Sequence, residues 1–470
     1  MTDSDSYKSV RARFVRPVAL LLSGSGTAFL IGYLARPLVM RLFPVEAFGV
    51  YEFILTLVAV AIPVASLRYE DAIVLPESRE EARDVWMLSL LLTLASVGLA
   101  TLGVLFLGHL VPDPETRRWL WAAPALLLVL RLSKLFELWL TREKAFGTLS
   151  TGSVTQRSVT TAGHVGIGLS STSAAGGLLA GFGAGHLAAA LLYATRALKT
   201  LPVRARLHLR TPASRYRRFA QYASPAALVS ALATRLPFLV LLGVFGAEFL
   251  GWFGQAFHVL YVPLSLLGVA VGQVFFVEAA EAWRRGSLKE ETRRIHDALV
   301  TFALVPLAGV CAAGPDLFAF FFGDAWRTAG EFAVYLAPWI ALTAVGSPLT
   351  RVFDVMERQR LDLAVNIAMF SLVGAALLYV VQGTTPLEAV IVLGIVGALS
   401  RAIQVAAALR CAGVAPGETV RAYLRPLAEA ALVFVLVSLL QRFFGPAVTS
   451  LGFLAILLVW LPFTYRRLVR

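Results

Sequence analysis

The sequence predicts an all-α polytopic membrane protein of about 14 transmembrane helices: two six-helix lobes, related as parallel repeats around a central cavity, plus two extra C-terminal helices. Three observations predict it. The 470 residues are 58% hydrophobic and 15% charged, whereas a soluble chain carries about 25% charge. Apolar runs of about 20 residues, the length that crosses a bilayer core, recur along the whole chain. The 42 Lys and Arg residues gather mostly in short loops between those runs, the pattern that keeps such loops on the cytoplasmic side.

In order, the spans are predicted at about 17–39, 49–67, 86–110, 119–140, 150–171, 174–197, 219–244, 250–277, 297–322, 330–350, 361–381, 387–409, 422–443 and 447–464. A charged tail, MTDSDSYKSVRARFVRP, precedes the first. That span is interrupted at Ser23-Gly24-Ser25-Gly26 yet outruns the apolar core of a cleaved signal peptide, and it reads as a retained helix. The fifth, STGSVTQRSVTTAGHVGIGLSS, is too polar to face lipid. An even number of spans puts both termini on one side. With the termini cytoplasmic, six basic residues fall outside (Arg36, Arg41, Arg117, Arg118, Arg327, Arg442) and six within spans (Arg131, Lys134, Arg157, Arg196, Arg235, Arg401). The other thirty are cytoplasmic, which fixes the expected orientation.

The densest basic stretch runs from Arg196 to Arg218. It holds Arg196, Lys199, Arg204, Arg206, Arg210, Arg215, Arg217 and Arg218 with no acidic residue. It divides the chain into an N-lobe over 1–197, a cytoplasmic linker over 198–218, a C-lobe over 219–415, and spans 13 and 14 over 416–470. The halves echo each other. Leu42-Phe43-Pro44-Val45-Glu46-Ala47-Phe48-Gly49-Val50-Tyr51 returns as Val244-Phe245-Gly246-Ala247-Glu248-Phe249-Leu250-Gly251-Trp252-Phe253. Ala123-Pro124 and Glu143-Lys144 align with Ala337-Pro338 and Glu357-Arg358. Each matching pair falls on the same side of the predicted membrane, so the repeats are parallel, about an axis along the membrane normal.

Several function classes are excluded. The net charge of +13 is explained by loop topology and calls for no nucleic acid. Cys311 and Cys411 lie far apart and make neither a disulfide framework nor a metal site. No GxxxxGK[ST] nucleotide loop occurs. All outer loops are short, which leaves no extracytoplasmic catalytic domain, and no enzyme activity and no cofactor are expected.

Charges inside spans carry the functional signal, because each Arg or Lys at mid-membrane costs about 2.5–3.5 kcal/mol and must face a partner or a cavity. Span 4 places Arg131, Lys134 and Glu137 on one broad face. Arg157, Arg235 and Arg401 lie in spans 5, 7 and 12, and Glu137 is the acidic residue that stands out within the spans. Lys134 and Glu137 also suit mutual neutralisation. A mostly cationic cavity formed by Arg131, Lys134, Arg157, Arg235 and Arg401 suits an anionic substrate, and a diphosphate offers several oxygens to guanidinium forks.

Two segments bear a family resemblance: Leu42 to Gly49, and the inner run Leu67-Arg68-Tyr69-Glu70-Asp71-Ala72-Ile73-Val74-Leu75-Pro76. They resemble Wzx-type oligosaccharide flippases of bacterial surface-polysaccharide pathways, within the MATE-like MOP superfamily. Pro44-Val45-Glu46 departs from the family's adjacent Pro-Glu, and the clear match covers about residues 20–85. The resemblance implies two six-helix bundles, alternating access, and passage of an undecaprenyl-diphosphate-linked glycan to the periplasmic leaflet of the bacterial cytoplasmic (inner) membrane. Membrane lipids and polysaccharide polymerase machinery are the expected partners, and coupling to a proton or sodium and the membrane potential are alternative energy sources. The resemblance places Arg68, Glu70 and Asp71 at a gate or entry point, where an interfacial ion-pair cluster is the alternative. A lipid II flippase and a MATE-type drug extruder are the competing identities; the basic cavity argues against the second.

Overall fold

The computed structural model describes residues 24–111, 113–170, 174–202 and 207–469. The charged tail, the first residues of the first predicted span, and Arg204 and Arg206 of the linker lie outside the described residues. Within them every regular element is helical, since a helix satisfies its backbone internally where no water is present. Two compact units divide at Gly251 and Trp252.

The first unit opens with α1 (24–34) and α2 (Arg36–Leu42), followed by α3 (Val45–Ala65), α4 (Arg79–Leu107) and the short α5 (Pro114–Trp119). Then come α6 (Ala122–Arg142), α7 (Phe146–Ser170), α8 (Ala174–Ala197), the short α9 (Arg210–Arg215) and the start of α10 (Ser224–Arg285). The second unit continues with α11 (Leu288–Phe322), α12 (Arg327–Leu349), the short α13 (Arg351–Val355), α14 (Gln359–Val380), α15 (Pro386–Cys411), α16 (Pro416–Phe443) and α17 (Pro446–Val469).

The helix count agrees with about fourteen crossings. Among the described residues, nine helices are long and apolar enough to cross a bilayer, α10 counting once. Its 62 residues reach about 90 Å at 1.5 Å per residue, against a hydrocarbon core of about 30 Å. The helix is broken at Gly246 (φ 83°, ψ −177°) and supplies two spans. The others are the α1–α2 pair, α6 with its charges, the Ser- and Thr-rich α7, and α17, whose apolar part is Pro446–Pro462.

Packing relies on small residues, which let helix backbones approach where lipid gives no hydrophobic drive. In the first unit α7 lies along α8, and a Cβ on Gly163 would stand 3.0 Å from the Gly181 Cα. α6 crosses α8 and α4. Where it meets the linker, Trp139, Leu135, Val85 and Ile73 form a fully buried core. In the second unit α11 packs against α12, α16 and α17, and α12 against α15. Gly314 and Gly330 each abut the other's carbonyl, and Gly309 receives the Phe453 ring.

The basic linker is fastened to the first unit. Trp139 Nε1 donates to Thr200 Oγ1 at 2.9 Å, and Arg83 Nη1 donates to the Pro202 carbonyl at 3.2 Å. The His208 amide donates to Asp84 at 3.3 Å, and the Tyr69 hydroxyl to the Ala213 carbonyl at 2.9 Å. Arg215 pairs with Glu81 at 2.6 Å.

The repeat is visible in backbone geometry within each unit. Beyond α6, Lys144 has φ 55° and the Ala145 amide bonds the Leu140 carbonyl at 2.9 Å. Beyond α13, Glu357 has φ 55° and the Arg358 amide bonds the Phe353 carbonyl at 2.8 Å. These are matching Schellman endings. They align Lys144 with Glu357, one residue away from the sequence alignment of Lys144 with Arg358.

Replacing Trp139 by Ala lowers stability by about 3–5 kcal/mol, the cost of emptying a buried aromatic site. Replacing Trp121, 51% exposed, changes it by about 0.5 kcal/mol or less. Thermal unfolding of the purified full-length protein in detergent distinguishes the two.

Candidate functional site

The linker end of α3 sets the first charged layer. After Ala65 the chain passes through Leu67 (φ 51°) and Arg68 (φ 59°), both in the left-handed region. This conformation costs a non-glycine residue roughly 1–2 kcal/mol. It turns the chain into the 3-10 segment Tyr69–Val74 and separates the three predicted gate residues. Glu70 goes inside, where Arg131 of α6 meets it at 2.5 Å with both side chains buried. Ser66 donates to Glu70 and accepts from Arg131 Nη2 at 2.7 Å. Arg68 and Asp71 stay at the rim, paired at 2.6 Å and 38% and 30% exposed. The Arg131 charge is thus offset within the first unit. Lys134 also has its own partner, Glu137 at 2.7 Å, both side chains about 40% exposed.

Deeper in the first unit lies a polar cluster that the sequence did not reveal. Glu52 of α3 is 5% exposed. It interacts electrostatically with Arg36 of α2 and with Tyr51, which in turn interacts with Arg157 of α7. Gln156 Nε2 lies 2.9 Å from His186 Nε2 of α8, and His164 Nε2 lies 2.9 Å from the Leu178 carbonyl. Aromatic rings wall the cluster: Tyr51 meets Phe182 and His164 edge-on, and His186 lies 4.6 Å from Phe182. Gly32 of α1 leaves the space the Arg157 side chain fills, since a Cβ there would approach its Cδ to 2.6 Å. Arg157 adds a second guanidinium beside Arg36 and is itself exposed. The cluster keeps a positive excess, the sign that attracts an anionic group. Glu52 sits in the apolar run Gly49–Leu57; its place eight residues into α3 was the available signal.

The remaining predicted residues are not brought into this cluster. Arg235 lies in α10 with its guanidinium 5.8 Å from the Phe238 ring centre. Arg401 lies in α15 of the second unit, and Nη1 donates to Gln404 at 2.9 Å. Its Nε is buried without a hydrogen-bond partner, and no ion pair to it occurs among the described residues. Among the described residues neither is matched by a carboxylate, which separates them from Arg131 and Lys134. No group of three or more His, Cys, Asp or Glu residues able to hold a metal occurs among the described residues.

Comparison with known proteins gives the lineage. The profile of the family described as "Polysaccharide biosynthesis protein" matches residues 38–331. The structure is similar to "Lipid II flippase MurJ, inward closed conformation", with a TM-score of 0.72, 13% identity, and coverage of 96% of this chain and 100% of that one. It is also similar to "Crystal structure of MATE in the bent conformation", with a TM-score of 0.53, 15% identity, and coverage of 86% and 96%. No curated protein sequence matches. The chain belongs to the polysaccharide biosynthesis protein family and has the helical fold of these membrane proteins.

Changing Glu70 to Gln strands a buried Arg131 and costs about 3–5 kcal/mol of stability. The double change Glu70→Leu with Arg131→Leu recovers most of that loss. Lys134→Ala costs less than Glu70→Gln, because both side chains of its pair are about 40% exposed and the Glu137 it leaves is not buried. Unfolding of the three variants in detergent measures these differences.

Proposed function

We propose that this member of the polysaccharide biosynthesis protein family is a flippase of the bacterial cytoplasmic membrane. It moves an undecaprenyl-diphosphate-linked oligosaccharide from the cytoplasmic to the periplasmic leaflet by alternating access, with both termini cytoplasmic and no chemistry on the cargo. The observation that carries this reading is the surplus of guanidinium within the spans. Arg157 lies beside the second guanidinium of Arg36, and Arg235 and Arg401 have no acidic partner among the described residues. An uncompensated cation is expensive in hydrocarbon, and a diphosphate that passes through offsets that cost with bidentate hydrogen bonds.

Within this reading the predicted residues divide by role. Arg157, Arg235 and Arg401 contact the diphosphate or acidic sugars. Arg68 and Asp71, half-buried at the end of α3, meet the cargo on entry. Glu70, Arg131 and Lys134 shape that entry through their own ion pairs. Glu52 supplies the acidic group that coupling to a proton or sodium requires. Membrane lipids and a polysaccharide polymerase are the expected partners. A drug extruder of the MATE type handles cations, which suits these sites poorly.

Deleting the gene in its host and measuring undecaprenyl-linked intermediates by mass spectrometry tests the proposal. Accumulation of an oligosaccharide diphosphate lipid, with loss of the matching surface polymer, is expected. Accumulation of lipid II, or sensitivity to cationic drugs without accumulation, overturns it. Complementation with Arg157→Glu or Arg401→Glu lowers transport about tenfold or more, since a charged hydrogen bond contributes roughly 1.5–3 kcal/mol.

A further inference from the structure

The two sequence copies Leu42–Tyr51 and Val244–Phe253 meet in the first unit, which holds all of the first copy and the second as far as Gly251. A Cβ on Gly49 would overlap the carbonyl of Ala247 and stand 3.0 Å from its Cα. A Cβ on Gly251 would overlap the carbonyl of Val45 and stand 2.9 Å from its Cγ1. Gly49 and Gly251 are equivalent positions in the copies, and so are Val45 and Ala247. Each glycine therefore receives the carbonyl of the other copy, the reciprocity that defines a two-fold contact. Backbones this close exclude every side chain, which is the physical reason for glycine at both places.

The surroundings are also matched. Pro44 (φ −68°, ψ 158°) ends the α2–α3 turn in extended backbone, and its equivalent Gly246 breaks α10 with ψ −177°. Ala47, Phe48, Val50, Phe249 and Leu250 are buried around the contact. Glu46 and Glu248, again equivalent, are exposed at its rim and close enough to repel each other. Shape holds the seam shut while like charge at its rim opposes closure.

We propose that Gly49 and Gly251 are the positioning residues of a seam that parts during transport, on the side where the cargo leaves. The inference rests on the transport reading above. Glycine at both positions sets how tightly the seam closes, and a side chain at either one wedges it.

The test uses full-length protein in native membrane vesicles, with Cys311 and Cys411 replaced by Ser and Val45→Cys as a buried reporter. A membrane-impermeant maleimide reads its exposure. Gly49→Val and Gly251→Val each raise the labelling rate about tenfold, as expected of a shifted two-state population. Gly243→Val, whose Cβ meets nothing within 4 Å, leaves it unchanged. Gly49→Ala and Gly251→Ala give smaller increases of similar size and serve where a Val variant fails to fold. Unchanged labelling in folded variants, or a response at one glycine and not the other, overturns the seam. Labelling needs no cargo. Raised labelling without accumulated lipid-linked oligosaccharide in the deletion strain therefore leaves the seam standing and removes the flippase reading.

Discussion

A charge held in hydrocarbon must find an opposite charge, a water-filled space or a ligand, and this constraint sorts the ionisable residues of the chain. Arg131 and Glu70 satisfy it by meeting, with Ser66 bonded to both. Lys134 and Glu137 satisfy it as neighbours along one helix. Arg235 and Arg401 are left with an aromatic ring and an amide, and Arg157 with Tyr51. The first group is ion-paired within the protein, and the second has no ion pair among the described residues. Residue type alone does not separate them, since four of the five predicted cavity residues are arginines.

The same constraint explains the shape of the α3 terminus. Two successive non-glycine residues in the left-handed region are unfavourable by themselves, yet they swing Glu70 inward to Arg131 while Arg68 and Asp71 stay outside. Local backbone strain is tolerated because the buried pair over-determines it. Tyr69, in the same turn, reaches Ala213, so the motif that carries the family resemblance also fastens the linker.

Much of the fold was legible in the sequence because hydropathy and basic loops are strong signals over long runs. The fold class and about fourteen spans followed from them, and the polar fifth span proved to be a helix, α7. The repeat was legible as well, though its register near Lys144 was displaced by one residue. A Schellman ending is fixed by backbone dihedrals, and the Glu143-Lys144 and Glu357-Arg358 side-chain likeness hid it. The sites were less legible. Arg131, Lys134 and Glu137 share a helix face, which the spacing reveals; that Glu70 arrives from sixty residues earlier depends on a turn of two left-handed residues with no glycine to announce it. Glu52 was missed because one carboxylate in an apolar run resembles an interfacial residue until its burial is known.

The Glu70–Arg131 pair also bears on how the chain enters the bilayer during synthesis. α6 carries Arg131, Lys134 and Glu137 and is not one of the nine helices that, among the described residues, are long and apolar enough to cross a bilayer. Each of its basic residues at the helix centre opposes partitioning by about 2.5–3.5 kcal/mol. Glu70 is made first, so the α3–α4 hairpin can already offer its carboxylate when α6 leaves the ribosome. The order of the chain thus makes the acidic partner before the helix whose cation needs it. In a chain that presented α6 ahead of α3 the same pair would have to form after its cation had already met the bilayer.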